Sequence, residues 1–502
     1  MPRRIQLLIV MLLSLALYCF GNTFPLGLHF DESKKVRFIL SYEQDFRHPI
    51  LLLELARFAN LFFRYTDEQA VAIVARFSVA FISALIVPGI YKLARYSLRH
   101  PASLLTALMV GTCPTIAVHS HYIKEDMLLT VAVIWSMYFF TYFLHSPSVK
   151  TAIWFGSAVG LAFSSHYKSL LLLVVFAPFL LYANRYQLGA EDPKAEREDG
   201  SISNRILWRL VCLAGLIASV VFSLVNWPIF IRPSEFLRGS NYELQHAVNG
   251  HGILIHAFPQ WFTYHLRHNI FSGMTIPLTI VSLLGFVMAT HRWRRLGLSE
   301  QVMIVATMVF YFVPEISPTK PPPDDGRYII PAVVTLGFFA GWLVEMCWNT
   351  RFVFVRSLTV IAVTGVLSFS LYDTGNLVYN LNRDTREKAR VWIEDNLKPG
   401  ETVTWKPLSA PWHIGPMKGI DLLELQEGRF DFVVVSSFHY DRYLNAAASS
   451  GQLETVYAQT KAFQELFQKP FVEIRPVYRS FAFSNPTIRI VDLRRGAEKH
   501  LP

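Results

Sequence analysis

The chain is 502 residues long, 52% hydrophobic and only 17% charged, whereas an ordinary soluble domain is about a quarter charged. Its apolar residues gather in runs near the roughly 20 needed to cross about 30 Å of hydrocarbon, which excludes a wholly soluble fold. The net charge of +10 falls largely in short loops between such runs, where basic residues set orientation, so nucleic acid is not an expected partner.

Ile5–Phe20 follows Arg3-Arg4 and reads as a retained first span, because Gly21-Asn22-Thr23-Phe24-Pro25 is a poor signal-peptidase site. Further candidate spans are Val71–Ala94, Pro101–Val118, Met127–Leu144, Ala152–Ser164 and Leu170–Ala183. Then come Ile206–Trp227, Ile276–Thr290, Val302–Pro314, Tyr328–Trp348 and Phe352–Leu371. The expectation is a polytopic α-helical membrane protein of about 11 transmembrane helices. If the spans alternate, Arg3-Arg4, Lys92, Arg95, Arg99, Lys150, the stretch from Arg185 to Arg209, Arg292, Arg294, Arg295, Arg351 and Arg356 share one face. That basic face is cytoplasmic by the positive-inside rule, giving N-in/C-out topology.

The outer side then carries a first loop over 21–70, the junction His119–Asp126, a loop over Pro228–Thr275 and the stretch Glu315–Arg327. The acidic, turn-rich stretch Gly189–Ser201 reads as a solvated cytoplasmic linker. Cys19, Cys113, Cys212 and Cys347 all sit in apolar spans, so no disulfide framework is implied.

After Leu371 the composition changes. The expected organisation is a transmembrane domain over 1–371 and a C-terminal extracytoplasmic α/β domain over 372–502. Thr385–Leu397 has the pattern of an amphipathic helix stopped by Lys398-Pro399-Gly400, and Asp431–Ser436 and Thr487–Leu493 read as strands. There is no glycine-rich phosphate loop, so no nucleotide is expected there.

Charge beside a membrane span is costly unless it is used or wetted. The first loop holds Asp31-Glu32-Ser33-Lys34-Lys35, then Arg47-His48-Pro49. The next junction reads His119-Ser-His121-Tyr122-Ile-Lys124-Glu125-Asp126, and a third holds Ser165-His166-Tyr167-Lys168. Carboxylates can take a proton from a sugar hydroxyl, and Lys or Arg can stabilise a phosphate oxyanion. The plain alternative for each cation is a helix end meeting headgroups and water. His246, His251, His256, His265 and His268 cluster after Pro228. His265 and His268 have a spacing that a divalent metal can use, though sugar hydrogen bonding or interfacial placement is the ordinary role of such histidines.

These motifs resemble the GT-C type membrane glycosyltransferases, specifically the bacterial relatives of protein O-mannosyltransferases in glycosyltransferase family 39. The matching pieces are Asp31-Glu32-x-x-Lys35 with a downstream His48-Pro49, His121-Tyr122-Ile-Lys124-Glu125-Asp126, and Arg327-Tyr328-Ile-Ile-Pro331. Asp431-Phe-Val-Val-Val-Ser-Ser and Asn485-Pro-Thr-Ile-Arg-Ile-Val-Asp add to them in the tail. The resemblance implies a GT-C-like fold and an inverting transfer of a sugar from a polyprenyl-phosphate donor to a lipid, glycan or protein hydroxyl. It places the site on the periplasmic face of a bacterial inner membrane. It makes Asp31 the base, Glu32 its helper and Asp126 part of a second acidic motif. Lys124, Lys168 and Arg327 would hold the donor phosphate, and His48, His121, Tyr122 and His251 are substrate-loop candidates. Lys-Glu-Asp stands where such enzymes often carry Lys-Pro-Asp or Arg-Pro-Asp. No cofactor is required, with a divalent metal left open at His265 and His268. The alternatives are a transporter or flippase of a lipid-linked sugar, against which no internal repeat is visible, and an oligosaccharyltransferase, whose Trp-Trp-Asp tripeptide is absent.

Overall fold

The computed structural model describes residues 1–29, 31–181, 204–249, 260–317, 324–405, 429–446 and 454–494. The Gly189–Ser201 stretch, His251 and His256 lie outside them, as does the side chain of His246.

Each apolar run is helical where described, because a backbone amide in hydrocarbon must find its partner within its own segment. Among the described residues, six helices are long and apolar enough to cross a membrane: Glu68–Ala94, Glu125–His145, Asn204–Val225, Leu298–Ile316, Arg327–Trp348 and Val353–Tyr379. A seventh is counted if the pair Phe262–Met274 and Ile276–His291, bent by 119°, is one span. Arg3–Cys19, His100–Gly111, Val149–Ser165 and Leu171–Leu181 are shorter helices. The chain is an integral membrane protein with six or seven membrane-length spans among its described residues, while four of the eleven runs read from the sequence form the shorter helices.

Proline accounts for one difference. The expected span Pro101–Val118 breaks into His100–Gly111 and Pro114–His119. Pro114 disfavours helical backbone at the residue before it, and Cys113 is extended (φ −69°, ψ 132°). The short second helix delivers His119 and the following junction to the site.

Close helix packing rests on small residues. Val149–Ser165 lies against Asn204–Val225 through Gly156 and Gly160, a small-residue pair four apart. A Cβ on Gly156 would stand 2.3 Å from the Ala214 carbonyl oxygen, and one on Gly160 would stand 2.7 Å from that of Ala218. Backbone cannot yield as a side chain does. Gly156→Val is therefore expected to lower stability by about 1–3 kcal/mol, read as a lower unfolding midpoint in detergent; an unchanged midpoint would mean that the two helices do not pack so closely.

The first loop folds into the helices Glu32–Ser41 and Leu51–Phe63. In the tail, β1 (Val403–Trp405), β2 (Phe432–Ser436), β3 (Phe471–Ile474) and β4 (Ile488–Asp492) form one sheet in the order β1-β2-β4-β3. β1 runs parallel to β2, while β2 and β3 pair antiparallel with β4, placing Val434 opposite Ile490. β2 is buried throughout because both faces are covered. Ala389 and Ile393 of the Thr385–Asn396 helix pack with one face, and Tyr440 and Phe463 with the other. An apolar run without alternation is the mark of such a strand.

Candidate active site

The site is assembled on a buried ion pair. Glu32 and Arg76 are fully buried, with Arg76 Nη2 2.5 Å from Glu32 Oε2 and Nε 3.1 Å from Oε1. Arg76 also donates to the carbonyls of Asn22 and Phe24, and its guanidinium lies 3.5 Å from the Phe24 ring centroid. Glu32 in turn accepts from the Ile123 backbone N–H at 3.0 Å. One carboxylate thereby ties together the first loop, the Glu68–Ser83 helix and the 119–126 junction. A second buried pair, Lys35 with Glu125, joins the first loop to the junction one turn along.

Between these ties stands Asp31. It occupies the position before the Glu32–Ser41 helix without using its side chain as a cap, so its carboxylate is free to point elsewhere. It meets Lys124 in an ion pair, and Arg327 Nη1 lies 3.7 Å away. Asp126 lies in the first turn of Glu125–His145, where the helix N-terminus favours an acid, and Lys168 Nζ stands 3.7 Å from it. Arg327 Nε is 3.2 Å from Asp325 Oδ2, and Arg327 donates to the Tyr328 hydroxyl at 3.0 Å. Lys168 sits 4.1 Å from the Tyr328 ring centroid. The turn that aims Arg327 depends on Gly326 (φ +64°), whose N–H is held by Asn269 at 3.1 Å. His119 Nε2 donates to the Asp325 carbonyl at 2.9 Å, closing the turn from behind.

The cluster sets Lys124, Lys168 and Arg327 against Asp31, Asp126 and Asp325. Burial by itself would raise the Asp31 carboxyl, but the charges of Lys124, His29 and Arg327 outweigh it and hold the group well below the usual carboxylate range. Burial opposes the charge on Lys124 too, and Asp31 and Glu125 overcome it and keep the ammonium above the usual lysine range. Asp325 is shifted upward by burial, with Arg327 opposing. Two of these pairs are long, 3.7 Å rather than hydrogen-bonded, so cationic N–H groups remain for an anionic ligand.

The structure brings Asp31, Asp126, Lys124, Lys168 and Arg327 together, and it gives Glu32 an inward, anchoring place. His48 lies at the margin, its ring 4.9 Å from that of His166 and its Nε2 3.8 Å from Glu243; burial pushes both imidazoles well below their usual range. His121 and Tyr122, expected in a substrate loop, are packed instead. The His121 nitrogens face the carbonyls of Ala117 and Phe20 at 2.7 and 2.9 Å, and Tyr122 lies among Phe24, His29 and His119. His251 is outside the described residues. His265 accepts from Asn269 at 2.7 Å, and His268 lies against Tyr264. Among the described residues, no group of three or more His, Cys, Asp or Glu side chains gathers as a metal site.

Sequence reasoning missed Arg76 and Asp325, and it quoted Lys35, Glu125 and Tyr328 in motifs without giving them a role. Arg76 carried a signal: an arginine within the apolar run Val71–Ala94 requires a partner. Asp325 did as well, lying two residues before Arg327.

Residues 48–193 match a sequence family described as dolichyl-phosphate-mannose-protein mannosyltransferase. No curated protein sequence matches the chain. Among solved structures, it is similar to the archaeal oligosaccharyltransferase AglB from Archaeoglobus fulgidus, solved with an inhibitory peptide and a dolichol-phosphate. The TM-score is 0.61 at 10% identity, covering 95% of this chain and 73% of that one. It is also similar to ArnT from Cupriavidus metallidurans bound to undecaprenyl phosphate, with TM-score 0.51, 15% identity and 96% of each chain covered. The fold is shared with these two solved structures, in agreement with the GT-C resemblance carried by the Asp31 and Lys124 motifs.

Proposed function

We propose, from a GT-C fold and a mannosyltransferase-family match across residues 48–193, that this protein is an inverting glycosyltransferase. Its donor is a polyprenyl-phosphate-linked sugar, and its acceptor is a hydroxyl of a lipid, glycan or protein on the outer face of the membrane. The observation that carries this reading is Asp31 sharing Lys124 and Arg327, a base and phosphate-binding cations in one contact set.

In this mechanism Asp31 takes the proton of the acceptor hydroxyl as its oxygen bonds to the sugar C1. The C1–O bond to phosphate breaks on the opposite face, and its electron pair leaves on the phosphate. Lys124, Arg327 and Lys168 receive that charge. A well-placed donor to developing charge contributes about 3–4 kcal/mol, and a positioned base about 10²–10⁴-fold. The depressed Asp31 carboxyl fits this sequence of events. An arriving phosphate competes for Lys124 and Arg327, and loosening those pairs raises the proton affinity of Asp31 when a base is needed. On this reading Lys124, Arg327 and Lys168 supply the positive charge, so chelation is expected to leave the rate unchanged; a loss of rate would bring in a divalent metal.

Because the free site holds Asp31 below the carboxylate range, kcat/KM for donor should stay flat as pH falls from 7 to about 5. The linkage sign agrees: a depressed carboxyl contributes stability above its unfolded pKa, lost only as pH falls toward the folded value. An acidic limb centred near neutrality would assign the base elsewhere.

The direct test is purified protein in lipid with labelled polyprenyl-phosphate sugars, diphosphate-linked oligosaccharides and a membrane extract as acceptor. Label passing from a monophosphate donor to acceptor is the expected result. Transfer only from diphosphate donors would point to oligosaccharyl transfer. Labelled carrier that crosses the bilayer without transfer would overturn the enzyme reading.

A further inference from the structure

The tail reaches into the site. Its segment Tyr478–Asn485 leaves the sheet between β3 and β4 and is fastened to the helical bundle at several points. Arg479 Nη2 lies 2.7 Å from Asp373 Oδ2 on the Val353–Tyr379 helix, and the Tyr478 hydroxyl donates to the same carboxylate at 2.8 Å. The Ala482 N–H donates to the Asp324 carbonyl at 2.9 Å, beside the turn that carries Arg327.

Within this loop Ala482 (φ +48°), Phe483 (φ +67°) and Asn485 (φ +51°) all take left-handed backbone without being glycine. So many unfavourable conformations in four positions persist only where the surroundings over-determine them. Here they are held by a further buried ion pair. Asp384 grips Arg386 through both carboxylate oxygens, at 2.7 and 2.8 Å, and accepts from the Asn485 N–H at 2.7 Å. Arg386 then donates to two carbonyls, that of Phe483 at 2.7 Å and that of Leu28 at 2.5 Å. Leu28 lies three residues before Asp31, so one guanidinium binds the tail loop to the segment of the first loop that leads to the base.

The strained conformation places the buried Phe483 ring 5.3 Å from the Arg327 guanidinium carbon and 5.1 Å from the His29 ring. Tyr328 offers Arg327 a second ring at 4.9 Å. A guanidinium held against aromatic faces has its orientation fixed by a contact that takes no hydrogen bond, so the N–H groups of Arg327 beyond those facing Asp325 and the Tyr328 hydroxyl can turn to a planar or tetrahedral anion.

We propose that the 478–485 loop of the tail completes the donor-phosphate site: Phe483 is a positioning residue for Arg327, and Arg386 is the clamp that registers this loop against Asp31. The sheet-bearing tail is then part of the catalytic assembly rather than a cover over it. This rests on the transferase reading for its kinetic consequence, but its structural core, the dependence of the Arg327 turn on Phe483, does not.

The experiment compares the full-length protein with Phe483→Leu and Phe483→Tyr. Leu keeps apolar bulk without a π face, while Tyr keeps the ring. For Phe483→Leu, donor KM is expected to rise about three- to tenfold with a smaller change in kcat and an unchanged unfolding midpoint. Phe483→Tyr should stay near wild type. Hydrogen exchange of the peptide spanning Asp324–Ile330 should quicken in Phe483→Leu and not in Phe483→Tyr. Wild-type donor KM and unaltered exchange in Phe483→Leu would overturn the proposal. So would equal losses in both variants that track a lower unfolding midpoint, since they would mark the ring as packing alone. If wild type transfers no sugar, the transferase reading fails, and the exchange result alone decides whether Phe483 positions Arg327.

Discussion

Asp31→Asn is expected to lower sugar transfer by a factor of roughly 10² or more while the protein stays folded and inserted. The substitution keeps the size of the side chain and removes its ability to take a proton. The frame around it remains, because Glu32–Arg76, Glu32–Ile123 and Lys35–Glu125 hold the loop without Asp31. Lys124 loses a partner but keeps the nearby charges of Glu125 and Asp126. The measurement is initial rate at saturating donor, beside gel-filtration profile and unfolding midpoint. A folded Asp31→Asn variant with near-normal turnover would take Asp31 out of the chemistry and return the base to another group, with Asp126 the first to test.

Arg76→Ala is expected to act on stability. It would leave the Glu32 carboxylate buried without its cation, and breaking one side of a buried pair costs about 3–5 kcal/mol. The carbonyls of Asn22 and Phe24 would lose their donor as well. Arg76→Lys should recover only part of the loss, since an ammonium cannot reproduce the planar fork that grips both Glu32 oxygens. Replacing both partners, as Glu32→Met with Arg76→Met, should recover stability better than either single change, because no charge is then stranded. Unfolding midpoints in detergent read the series. An Arg76→Ala midpoint equal to wild type would show that Glu32 finds another partner. The double variant separates two roles, for it should fold yet remain slow, the Glu32–Ile123 tie beside Asp31 having gone.

Much of the site was legible because its residues are costly where they stand. Asp31, Lys124, Asp126, Lys168 and Arg327 are charges at the ends of apolar runs, and each lies in a short local motif. Their roles were harder to separate. Asp31 and Glu32 are adjacent in sequence, but a helix begins between them, so one faces the cations and the other turns inward to Arg76. His121 and Asp126 share one junction, and only the latter reaches the cluster.

The sequence by itself determined that the chain crosses a membrane and that its apolar runs are helices, since hydrocarbon leaves the backbone no other partner within a segment. It determined, too, which short motifs carry the unusual charges. The tertiary structure alone decided which charge meets which. Arg76 is drawn to Glu32, Lys124 to Asp31, and Phe483 to Arg327 across long stretches of chain. Local pattern fixes the direction of a side chain relative to its own helix. Which element stands opposite depends on how helices pack through Gly156 and Gly160, on where Pro114 breaks a span, and on the left-handed turn at Ala482 and Phe483. Those features are set by the sum of many contacts between distant segments, so no window of sequence contains them.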